Sequence, residues 1–254
     1  MDGMASRKTN KIVNALALLV GGVCVFVVAA ISTLMSAPQL AFAHSAGDGR
    51  IMFHATEPLS QEAALRAGAE AWAAMQDTPF GQPDHQIDVY VTGGRGWRHQ
   101  VFFRPALWAG GLTYPILSTQ MMFLRDVDLE AGRLIGSEGP IPDPRDLTYY
   151  LVHEMTHLRH AEELGRIRFL RTPHWVREGM PDVAALGLAE PALMAAAMAG
   201  EALPRDRFGS YPIERACVTM VLAQPGMTME RLLHLNAPMR DPRSCMTLPP
   251  AFSD

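Results

Sequence analysis

The sequence predicts an α+β fold, with a small N-terminal mixed sheet and its helices preceding a mostly helical C-terminal part. Three observations predict it. Apolar residues recur at helical spacing over residues 59–75, alternate in strand fashion over Ile87 to Val91 and His99 to Phe103, and two proline-marked helix starts follow, at Asp143-Pro144 and Thr172-Pro173.

The chain begins with a positive segment, Arg7, Lys8 and Lys11, ahead of an apolar run over residues 12–31. This reads as membrane targeting, and Ala41-Phe42-Ala43 before His44 resembles a signal cleavage site. The run is also long enough to span a bilayer. Residues 1–43 are therefore expected to be a signal peptide or a membrane anchor, and residues 44–254 a single domain. The positive-inside rule puts that domain outside the cytoplasmic membrane, periplasmic or secreted after cleavage, or anchored through residues 12–31.

Residues 59–75 place Ala63, Ala64, Leu65, Ala67, Ala71, Trp72 and Met75 as a helix face packed on a sheet. The two strands that follow are joined around Gly93-Gly94-Arg95-Gly96, which reads as a hairpin turn rather than a phosphate cradle because no helix start follows it. The segment Leu112 to Leu124 predicts two further short strands, one of them an edge along which an extended peptide could pair.

In Asp143-Pro144-Arg145-Asp146 the first aspartate reads as an N-cap and the proline as the first helical residue, and Gly165 reads as the stop. Leu147, Tyr150, Leu151, Leu158, Ala161 and Leu164 give that helix an apolar face. It carries His153-Glu154-Met155-Thr156-His157. Residues four apart share a helix face, so both imidazoles can address one ion, and Glu154 sits where a carboxylate reaches the ion's water. A second helix starting at Thr172-Pro173 offers Glu178 or His174 as a third ligand, and its Pro181 predicts a kink or restart. His160 reads as a polar residue on the helix surface near its C-terminal end.

With Trp175-Val176-Arg177-Glu178-Gly179 added, the span 140–235 resembles the gluzincins, the thermolysin-like division of zinc metallopeptidases. The resemblance implies a zincin-like domain that hydrolyses peptide bonds of a peptide or protein substrate. Zn2+ would be bound by His153, His157 and Glu178, with Glu154 as general base. Asp182, four residues after Glu178, matches the aspartate that orients a ligand histidine, and Pro181 departs from the pattern beside it. Gly209-Ser210-Tyr211 makes Tyr211 the first choice for stabilising the oxyanion, ahead of His174, Tyr149 and Tyr150. A metzincin would need Gly in place of His160 and His in place of Glu163.

Composition fits one domain, with 48% hydrophobic residues. Both lysines lie in the targeting segment, and removing residues 1–43 takes away three basic and one acidic side chain, moving net charge from −4 to −6. Nothing in that balance suggests nucleic-acid binding. Cys217 and Cys245 remain after Cys24 of the apolar run, either bridged in an oxidising compartment or as separate buried thiols. A non-catalytic domain braced by the metal is the rival reading, against which the presence of Glu154 speaks.

Overall fold

A computed structural model describes the backbone of residues 2–234 and the side chains of residues 18–234. The chain divides between Ala41 and Phe42 into two compact units. The first is helix α1 (Asp2–Ser36) with a short 3-10 turn after it. Within α1, Leu18–Ser36 has mean hydropathy 2.5, and its 19 residues rise about 28 Å, close to the thickness of a bilayer core.

The second unit is a mixed α/β body. Strands β1 (His44–Gly47), β2 (Ile51–Ala55), β3 (Ile87–Val91), β4 (Gly111–Thr113) and β5 (Met121–Leu124) form a sheet in the order β1-β2-β3-β5-β4. The inner pairs β2–β3 and β3–β5 are parallel and both edge pairs antiparallel. Of the segment expected to be cleaved, Phe42 stacks 5.2 Å from Tyr90 and 5.9 Å from Phe102, and the Ala43 N–H donates to the Ala55 carbonyl.

Parallel neighbours need crossovers. Helix α2 (Gln61–Gln76) carries the chain from β2 to β3, capped by the Ser60 hydroxyl, which accepts the Ala63 N–H. Its buried stripe of small residues lets it lie close to the sheet: a Cβ on Gly68 would sit 3.4 Å from the Ile51 Cβ. The crossover from β3 toward β5 corrects two expectations. Residues 93–96 form no hairpin, and His99 to Phe103 is no strand, because β3 and β5 run the same way. Instead Gly93 and Gly94 turn the chain at positive φ into helix α3 (Gly96–Phe102), so a helix start does follow the glycines. His99, Phe102 and Phe103 share its buried face at helical spacing. The segment 112–124 does hold two strands, with β4 on the sheet edge.

A second small sheet, β6 (Val127–Asp128), β7 (Arg133–Gly136) and β8 (Gly139–Pro140), leads to helix α4 (Leu147–Leu164). Its N-cap is Asp146, whose carboxylate accepts the Tyr149 N–H at 2.7 Å, not Asp143. Asp143 is instead held by both nitrogens of the Arg133 fork, and the bond to Pro144 is cis. Gly165 ends the helix as expected.

The remaining chain is helical among the described residues: α5 (Arg166–Arg171), α6 (His174–Leu186), α7 (Pro191–Ala199), α8 (Arg205–Phe208), α9 (Pro212–Leu222) and α10 (Met229–Leu233). One core lies between the sheet, α2 and α4, and a second between α6, α9 and α10. Helix α6 runs unbroken through Pro181, so the expected kink or restart does not occur. The proline removes one backbone donor, yet it is buried in a helix that packs on both α4 and α9. Cys217 is buried in the second core, and the Cys217–Cys245 pairing lies partly outside the described residues.

Candidate metal centre

Helices α4 and α6 build the site together. His153 and His157, one turn apart on α4, meet Glu178 from the first half of α6. The Oε2 atom of Glu178 lies 3.8 Å from Nε2 of His153 and 3.4 Å from Nε2 of His157, and one donor atom from each residue falls within 4.8 Å of the others. Those separations are long for hydrogen bonds and suit a shared ion, since ligands about 2.0–2.1 Å from a tetrahedral metal stand roughly 3.4 Å apart. The three residues could hold a metal. His174, the rival third ligand, is largely exposed and lies outside the cluster, with Nδ1 3.8 Å from Glu214.

Asp182 anchors the arrangement from behind. Fully buried, it accepts from Nδ1 of His153 at 3.1 Å and from the Tyr149 hydroxyl at 2.5 Å on one oxygen, and from the Tyr211 N–H at 2.8 Å on the other. A proton held on Nδ1 leaves the Nε2 lone pair free for an ion. The unbroken α6 makes this possible, because Glu178 and Asp182 share a face one turn apart. Tyr149 is committed to Asp182 and also accepts the Ser210 N–H, which removes it from the oxyanion donors.

The electrostatics follow from burial and proximity. Burial pushes the His153 imidazole down, but Asp182 and Glu178 outweigh it and hold the group at about 10. For Glu178 burial pushes up, and the nearby imidazoles, His157 first and then His153, drive the carboxyl well below its ordinary value. Burial raises the Glu154 carboxyl, against the pull of His157 and His153.

Glu154 faces β4. A Cβ on Gly111 would fall 2.5 Å from its Oε1, and one on Gly110 would strike the Tyr150 ring at 2.6 Å. The edge strand approaches the helix this closely only because both positions are glycine. The tandem glycines Gly110-Gly111 are the sequence signal of this approach. Tyr211 stacks on His153 with ring centroids 5.5 Å apart and 17° between planes. Burial, then the charges of Glu178 and Glu154, raise its phenol, so it stays a donor.

His160 is corrected. It is wholly buried, between Phe80 at 5.8 Å and Phe169 at 5.2 Å, and neither ring nitrogen has a hydrogen-bond partner among the described residues. Positions 153, 157 and 160 lie on one stripe of α4, so the stripe that presents the ligands also turns His160 inward. Burial pushes its imidazole down to about 3.

The cluster opens into a cavity of about 1050 Å³ walled by β4, residues 136–142 and α5. No family model, curated protein or solved structure matches the chain.

Proposed function

We propose that the chain is a zinc-dependent peptidase of the gluzincin kind, acting outside the cytoplasmic membrane. One observation carries the reading: on a single face of α4, His153 and His157 turn their donors to Glu178, while Glu154, between them in sequence, stays out of that cluster and lies against the substrate-accessible strand β4. A merely structural metal site needs no such carboxylate.

His153, His157 and Glu178 would hold a zinc ion, which would supply Lewis acidity able to lower the pKa of a water from about 15.7 toward about 7. Glu154 is placed to accept a proton from the attacking water and to pass it to the leaving amine. Tyr211 donates to the oxyanion, with the half-buried phenol at the cavity wall. Asp182 and Tyr149 hold His153 in the tautomer that leaves Nε2 available. Beside them, the unpaired side of β4 aligns an extended backbone by hydrogen bonds, and Leu112, Ile116, Leu117, Phe169 and Leu170 receive an apolar side chain. The apolar N-terminal helix delivers the domain across the membrane and either is cleaved or stays as its anchor.

The test compares wild type with Glu154→Gln on an unfolded protein substrate, with zinc measured in both. We expect one zinc per chain in each and cleavage reduced at least about a hundredfold in the variant. Equal cleavage by the two removes the peptidase reading, and zinc without any cleavage by wild type favours the metal-braced binding domain.

A further inference from the structure

Outside the residues of the metal centre, the cavity wall carries Arg125, Arg145, Arg177 and Arg205 against one acid, Glu138, which is exposed. This reverses the sign of a chain whose formal charge is −4. Field of that kind, focused in a concave site, favours an anionic ligand.

The four arginines are not equivalent. Arg177 leans on Glu178 at 3.4 Å, Arg205 lies over the Trp108 ring, and Arg125 packs beside Gly94. Arg125 and Arg145 are both partly buried with no carboxylate within 4 Å among the described residues, and of the two it is Arg145 whose Nε is sealed from solvent without a hydrogen bond. Other arginines withdrawn from solvent have an acid beside them: the partly buried Arg133 and Arg159 pair with Asp143 and Glu162, and the buried Arg215 with Glu190. A half-buried guanidinium without an acid costs stability unless something outside the chain completes it.

Its position states what that is. Arg145 sits in the turn before α4, its N–H donating to Pro142, with the guanidinium beside the Tyr150 phenol. Tyr150 precedes Glu154 by one helical turn; Gly110, just before the edge strand, lies over Tyr150, and Gly111, its first residue, over Glu154. A chain paired on β4 therefore runs past Glu154 toward Tyr150, one turn of about 5.4 Å or roughly two extended residues away, where the Arg145 guanidinium stands.

We propose that Arg145 makes this site selective for a substrate carboxylate close to the scissile bond. The forked guanidinium binds it bidentately, and Tyr150 fixes the fork. The carboxylate is either an Asp or Glu side chain or the free C-terminus of a short peptide. The proposal rests on the peptidase reading for its substrate class but not for its ligand chemistry.

The experiment uses the full chain, zinc-loaded, and peptide pairs that differ only in Glu against Gln near the cleaved bond, each with a free or an amidated C-terminus. Cleavage is followed with wild type and equilibrium binding by calorimetry with Glu154→Gln. We expect the carboxylate member to exceed its neutral twin by about tenfold or more in kcat/KM and in affinity, the size of a charge-assisted hydrogen bond. With Arg145→Gln that ratio falls below about threefold at unchanged zinc content, and with Arg145→Lys it is intermediate, because charge remains without the fork. Dependence on Glu with the end amidated assigns the carboxylate to a side chain; dependence on the free end assigns it to the terminus. Either result supports the proposal. Equal handling of the twins by wild type, or a ratio that survives Arg145→Gln, overturns it. If Arg145→Gln does not fold, Arg145→Lys decides, an unchanged ratio overturning the claim. Binding selectivity without cleavage would sink the peptidase reading and leave Arg145 standing; cleavage without selectivity would do the reverse.

Discussion

Asp182 has two oxygens and three donors, drawn from two distant parts of the chain: His153 and Tyr149 from α4, and the Tyr211 backbone just before α9. A carboxylate so engaged orients the ligand ring and strengthens its donor nitrogen. Asp182→Asn keeps the shape but not the charge. We expect zinc affinity to fall about 10- to 100-fold, read by competition with a chromophoric chelator, with the fold retained by circular dichroism. The pair of histidines was plain in the sequence because a helix forces residues four apart onto one face. The role of Tyr149 was not, since nothing in the chain order says which tyrosine reaches a residue 33 positions on.

Helices α6 and α9 meet through a close backbone contact at Gly179. A Cβ at Gly179 would lie 2.4 Å from the Glu214 carbonyl oxygen, a backbone atom that cannot swing away. Alanine there gains about 1 kcal/mol in helix propensity but incurs about 1–3 kcal/mol of overpacking. The clash wins because both partners are main chain. Gly179→Ala should lose roughly 1–2 kcal/mol, seen as a lower urea midpoint, and weaken zinc binding because Glu178 is its neighbour. At this scale the strand expected over residues 99–103 failed, since a five-residue alternation fits a short helix equally well and the parallel sheet decided for the helix. The kink expected at Pro181 failed for a related reason: local backbone preference yields when burial on both sides holds the axis.

For the whole molecule, the buried His160 couples stability to pH. Its folded value, about 3, lies below the ordinary 6.5, so between those limits the unfolded chain binds a proton that the folded chain refuses. Unfolding then takes up protons, and stability falls as pH drops from about 6.5 toward 3, by an amount on the order of 5 kcal/mol at most. His160→Phe puts an apolar ring between Phe80 and Phe169. Denaturant curves on metal-free protein should show a flatter pH profile for this variant than for wild type, and parallel profiles would refute the assignment of that slope to His160.

By itself the sequence determined what is local and periodic. These are the long helix bearing His153, Glu154 and His157, the helix over α2, the strand Ile87–Val91 and the apolar N-terminal helix. Tertiary structure alone decided which side of α4 faces inward, burying His160, and which edge glycines let β4 touch Glu154. It alone also decided that Arg145 meets no acid within 4 Å among the described residues. The physical reason is that periodicity fixes which residues share a face, whereas what that face meets depends on elements far along the chain, chosen by packing.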